Sequence, residues 1–179
     1  MQLLHRNFSV KLATGSADLQ RDLSVMYDQV GNVQLAQRNQ ADALKSYRDS
    51  LAIKLSLVKS NPDNAEYQHY LSVSYDKIGD VQLAQGDIAG ALKSYHDSLA
   101  IRDKLAKSDP NNANWQHDLA VNCYELATAY RRSNDNGGAL TALQQAKAIM
   151  DRLVQLSPDN AQWKRQLTLV NNQIATLTK

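Results

Sequence analysis

Residues 33–53 read VQLAQRNQADALKSYRDSLAI, and residues 81–101 read VQLAQGDIAGALKSYHDSLAI. Aligned without gaps, residues 18–60 and 66–108 are identical at 26 of 43 positions, so the 48-residue offset marks a duplication. The same offset joins Pro62, Pro110 and Pro158, and Leu23, Leu71, Leu119 and Leu167. It also joins Asn39, Asp87 and Asp135, and carries Trp115 onto Trp163. The chain therefore holds three full units and the first half of a fourth. One unit is too small to bury its own apolar face. Stacked neighbours bury it together, so a chain of this kind folds as an array.

Inside a unit the apolar spacing is helical. Tyr67, Leu71, Tyr75 and Ile78 step by four, four and three residues, as do Trp115, Leu119, Cys123 and Leu126. That spacing keeps side chains on one face of a 3.6-residue helix. Gly86 suits the left-handed position that ends a helix, and Asp87 suits the cap of the next one. A second helix carries Leu92, Tyr95, Leu99 and Leu105 until Pro110, which has no N–H and disfavours a helical residue before it. Asn112 is placed to cap the helix that follows. The chain is 43% hydrophobic but only 6% aromatic, with Ala and Leu prominent, which favours helix over sheet. The expected map has first helices near 16–37, 64–85 and 112–133. Second helices fall near 40–59, 88–107 and 136–156, with a last helix over 160–178.

The block Tyr75, Ile78, Gly79, Gly86, Ala91, Leu92, Tyr95 resembles the tetratricopeptide repeat. Unit one repeats it with Tyr27, Val30, Gly31, Ala43, Leu44 and Tyr47. Unit three does so with Cys123, Leu126, Ala127, Tyr130, Ala139, Leu140 and Leu143. The resemblance implies an all-α fold: an α-α superhelix, or solenoid, of three helix hairpins plus a C-terminal capping helix. The family's usual period is about 34 residues. About seven extra residues in each helix, roughly two turns, lengthen it to the 48 seen here without rotating the apolar face. Arrays of such long units occur in bacterial multidomain proteins. The implied layout is a single domain over 16–179, with repeats at 16–63, 64–111 and 112–159 and the cap at 160–178. Residues 1–15 are an N-terminal extension that reads as the end of a preceding helix, since Val10 and Lys11 align with Val58 and Lys59. His5, Arg6, Asn7 and Lys11 interrupt the apolar run that a secretion signal needs.

In the family, first helices line a concave groove. Carried over by position, that groove takes Asp28 and Asn32 from unit one, and His69, Tyr70, Asp76, Lys77 and Asp80 from unit two. Unit three supplies His117, Tyr124, Glu125, Thr128, Arg131 and Arg132, and the last helix adds Gln173. The groove is then acidic at one end and basic at the other, which favours an extended segment of opposite polarity. The family's best-understood groove chemistry clamps a terminal carboxylate with Lys and Asn. Here the matching positions hold Asp28 and Asn32, Asp76 and Asp80, and Tyr124 and Thr128, and the carboxylates would repel such a tail.

Other classes find little support. A net charge of +2 is too weak to draw nucleic acid or an anionic membrane. No run of about 18 apolar residues is present to span a bilayer. No phosphate loop, dinucleotide fingerprint, nucleophile elbow or zinc-protease motif occurs. His69 and His117 are equivalent positions with no third ligand at fixed spacing, so they read as duplicated surface residues without a metal. Cys123 replaces a core Tyr and reads as a buried thiol suited to a reducing, cytoplasmic setting. Trp115 and Trp163 read as core anchors. The expected function is a non-catalytic protein–protein interaction module, without cofactor, that binds a peptide or protein segment in the groove. The alternatives are a scaffold that self-associates through its end helices into a homo-oligomer, or the regulatory repeat region of a larger signalling protein or enzyme.

Overall fold

The computed structural model describes residues 16–178, and among them it holds seven α-helices and no strand. The expectations for residues 1–15 lie outside the described residues. The helices are α1 (Ala17–Ala36), α2 (Gln40–Ser60), α3 (Ala65–Ala84), α4 (Ile88–Ser108), α5 (Ala113–Arg132), α6 (Asn136–Leu156) and α7 (Ala161–Leu177). Each agrees with the expected map to within three residues. No described helix is long and apolar enough to cross a membrane.

One local code starts every helix. Ser16, Asn39, Asn64, Asp87, Asn112, Asp135 and Asn160 each accept a hydrogen bond from the backbone N–H three residues on. These bonds satisfy a donor that the first turn otherwise leaves without a partner. The long helices α2, α4 and α6 stop one residue before proline, at Asn61, Asp109 and Ser157, whose φ is −138° to −140°. Extended backbone is what a following proline imposes.

Each hairpin turn uses one left-handed residue. Arg38, Gly86 and Asn134 have φ of 61°, 82° and 62°. The next N–H in each case reaches back five residues, from Asn39 to Gln34, Asp87 to Gln82 and Asp135 to Tyr130, at 2.8 to 2.9 Å. This is the hydrogen-bond pattern of a Schellman turn. Glycine takes that φ without strain, asparagine tolerates it, and arginine pays for its Cβ.

The described residues divide into two compact units, one running to Val81 and one starting at Gln82, with the boundary inside α3. In the first unit α1 packs on α2, and Ala43 and Tyr47 of α2 form a core with Ile78 and Val81 of α3. Tyr47 lies directly over Gly31, where an added Cβ would come within 2.5 Å of its ring. In the second unit α4 packs on α5, α5 on α6 and α6 on α7. Its main core gathers Ala91, Tyr95, Leu126, Ala129, Ala139, Leu143, Ala146 and Val170. A second core sets Met150 and Leu153 of α6 against Trp163 and Leu167 of α7.

Serine ties the hairpin helices together where apolar contact does not. Ser50 donates to the carbonyl of Ser24 at 2.9 Å, and Ser46 donates to Gln34 at 2.8 Å. The latter pair recurs one unit on as Ser94 and Gln82, at 2.7 Å. In unit three the same two positions hold Ala142 and Tyr130, so donor and acceptor are lost together.

Arg38→Gly should raise stability by about 1 kcal/mol, and Gly86→Arg should lower it by a similar amount. No atom lies within 4 Å of a Cβ added at Gly86, so the backbone alone sets that cost. Urea unfolding of the three proteins side by side measures both shifts.

Candidate binding surface on the first helices

Polar residues of neighbouring first helices meet side by side within each unit, three of the pairs 49 residues apart. In the first unit Lys77 Nζ lies 3.6 Å from Asp28 Oδ2. In the second, Gln173 Nε2 donates to the Tyr124 hydroxyl at 3.5 Å, and His117 Nε2 lies 2.8 Å from Gln166 Oε1.

Asp28 corrects the charge pattern expected from the sequence. It is 8% exposed, and Lys54 Nζ donates to it at 2.7 Å from inside α2. Lys54 is itself 4% exposed and also donates to Ser74 Oγ at 2.7 Å. Burial pushes the Lys54 ammonium below its usual range, against the upward pull of Asp28. Asp76 is likewise buried, at 7% exposure. These two carboxylates therefore do not form an open acidic wall. They belong to the packing between helices, and Asp28 is held by a cation the groove positions did not reveal.

The other first-unit residues are more open. Lys77 sits 5.3 Å from the centre of the Tyr47 ring, a cation–π contact, and the Tyr47 hydroxyl donates to Asn32 Oδ1 at 2.8 Å. Tyr70 donates to Glu66 at 2.6 Å, and that bond is the main cause of its raised hydroxyl pKa. His69 is half-buried with its ring 5.8 Å from that of Tyr70. Asp80 is exposed.

The second unit brings its residues to one place. Tyr124, Thr128, Arg131 and Arg132 of α5 and Gln173 of α7 line an open pocket of about 290 Å3. Arg131 donates to Gln173 Oε1, and Arg132 donates to the carbonyl of Leu83 at 2.8 Å. Both partners are neutral, so these bonds aim the guanidinium groups without cancelling their charge. The Thr128 hydroxyl is turned to the Tyr124 carbonyl at 3.0 Å. Glu125, on the same helix, is half-buried and does not line this pocket. His117 stands apart from it, stacked on Trp163 with ring centres 6.2 Å apart.

Cys123 belongs to the core of the second unit. It is 2% exposed, and burial pushes its thiol up to about 11, so it holds its proton at neutral pH. Among the described residues, no group of three or more His, Cys, Asp or Glu side chains is arranged to hold a metal ion.

Lys54 was the residue that sequence reasoning missed, and the repeats carried its signal. Positions 28, 76 and 124 read Asp, Asp, Tyr, while positions 54, 102 and 150 read Lys, Arg, Met. The acid and the cation disappear in the same unit, and all three of Lys54, Arg102 and Met150 are buried. Lys54→Met should therefore cost about 3 kcal/mol, because it leaves Asp28 buried with only the more distant Lys77. The double variant Asp28→Tyr/Lys54→Met, which copies unit three, should recover most of that loss. Denaturant midpoints of both variants read the difference.

No protein-family model matches this sequence, and no curated protein matches it. Among solved structures, the chain is similar to one described as "DHF79 filament", at 9% identity and a TM-score of 0.32. That match covers 87% of this chain and 96% of the other, and at this similarity it says nothing about role.

Proposed function

We propose that the protein is a non-catalytic interaction module of the tetratricopeptide type. It binds an acidic protein segment on the first-helix face of its second unit. The observation that carries the reading is the convergence of Tyr124, Thr128, Arg131, Arg132 and Gln173 on one open pocket. Two guanidinium groups with neutral partners can turn to a carboxylate at little cost, since only neutral hydrogen bonds are exchanged for charge-assisted ones. Tyr124 offers an aromatic edge and a hydroxyl beside them, the residue type that anchors interfaces.

The superhelical arrangement and its groove remain the family's contribution to this reading. The polar pairs Asp28–Lys77, His117–Gln166 and Tyr124–Gln173 support it, because they join neighbouring first helices side by side within each unit. The outer faces of the second helices offer less to a partner. There Lys45–Asp49, Lys93–Asp97, Asp103–Lys107 and Lys147–Asp151 pair within each helix at 2.6 to 3.0 Å. Pairs of this kind stabilise their own helix by a few tenths of a kcal/mol and neutralise its surface. The single buried thiol suits a cytoplasmic setting.

Selection of displayed peptides against the full chain should enrich sequences rich in Asp and Glu. Arg131→Glu/Arg132→Glu should weaken their binding at least tenfold, or about 1.4 kcal/mol, with steep salt dependence in the parent. Lys104→Glu, on the exposed side of α4, should leave affinity unchanged. Equal losses from both changes, or enrichment of basic peptides, would refute the reading.

A further inference from the structure

The first helices share a second pattern that the groove does not use. Leu19, Leu23, Met26, Val30 and Val33 on α1 step by four, three, four and three residues. The 48-residue offset carries them onto Tyr67, Leu71, Ser74, Ile78 and Val81 of α3. It carries them again onto Trp115, Leu119, Asn122, Leu126 and Ala129 of α5, then onto Trp163, Leu167, Val170, Ile174 and Leu177 of α7. On the later helices this stripe faces the preceding second helix. Ile78 and Val81 pack on Ala43 and Tyr47 of α2 and are 4% and 1% exposed. Leu126, Ala129 and Val170 are equally covered, at 4% or less.

On α1 the same stripe is open. Leu19 is 58% exposed, Met26 64%, Val30 47% and Val33 56%, with Leu23 half-buried among them. The residues that α1 buries against α2, Ser24, Asp28 and Gly31, lie on the other side of the helix. This stripe runs about 21 Å along the helix, at 1.5 Å per residue.

We propose that this stripe is a homodimer interface, in which α1 of one copy packs antiparallel against α1 of a second. The four–three spacing is that of a coiled-coil seam, which is complementary to itself. An antiparallel pair centred on Met26 sets Leu19 against the partner's Val33 and Leu23 against the partner's Val30. The ends of α1 also favour this direction. Asp18 and Asp22, both paired with Arg21 at 3.6 and 3.2 Å, leave the start of α1 with a net negative charge, and Arg38 lies just past its end, so antiparallel helices bring the acidic end to the basic end and oppose their dipoles. The parallel arrangement sets Asp18 and Asp22 beside their own copies. Two such stripes bury on the order of 1,000 Å2, the lower bound for a specific interface, so the dimer is weak and depends on concentration.

Sedimentation equilibrium of the full chain from micromolar to millimolar concentration tests this. The apparent mass should rise from that of one 19.9 kDa chain towards two. Met26→Lys should weaken association at least tenfold, with its helical circular dichroism unchanged because the site is exposed. Under mild oxidation Met26→Cys should form a disulfide-linked dimer, Leu19→Cys alone should not, and Leu19→Cys mixed with Val33→Cys should. Cys123 is buried and does not compete. A chain that stays monomeric throughout would overturn the proposal and assign the stripe to a segment of the same chain. Dimers that survive Met26→Lys, or self-linking by Leu19→Cys, would overturn it as well.

Discussion

Everything described here depends on one repeated contact: the apolar stripe of a first helix laid against the second helix of the hairpin before it. Ile78 and Val81 make that contact on α2, Leu126 and Ala129 join the core built with α4, and Val170 joins the core built with α6. Hairpin formation is local and cheap, since caps and turns specify it residue by residue. Stacking supplies the burial that a lone hairpin lacks. On α1, before which the described residues hold no second helix, the same stripe is exposed. Exposure there is a consequence of the repeat and not an exception to it.

Much of this architecture was legible because repetition averages out local ambiguity. A proline after Asn61 alone is a weak stop signal, but three prolines at one offset fix the period. The caps at Asn39, Asp87 and Asp135 were readable for the same reason, and every one of them bonds its helix as expected. The left-handed turn was read from Gly86, and the structure shows Arg38 and Asn134 held in the same conformation by the same backbone bonds. There the hairpin overrides the preference of a single residue.

The candidate surface was less legible, for a physical reason. Position on a helix tells which way a side chain leaves the backbone, but not what reaches it from elsewhere. Asp28 was expected on the groove, and the structure buries it against Lys54 of α2, whose role is readable only once it is aligned with Arg102 and Met150. Unit three clarifies the pattern. It replaces Asp28 and Lys54 with Tyr124 and Met150, and Gln34 and Ser46 with Tyr130 and Ala142, changing both members of each pair. Freed of the buried carboxylate, that unit presents Tyr124 and two arginines to a pocket.

The central claim is that equivalent positions of the stripe differ in worth by whether a second helix covers them. Val33 and Val81 are the same residue at the same repeat position, one 56% and the other 1% exposed. Their alanine variants, unfolded in urea at protein concentrations low enough to hold a monomer, compare the two states directly. Val81→Ala should cost about 2 kcal/mol, while Val33→Ala should cost nothing or stabilise slightly, since Ala is the better helix former. Equal losses at the two sites would contradict the account.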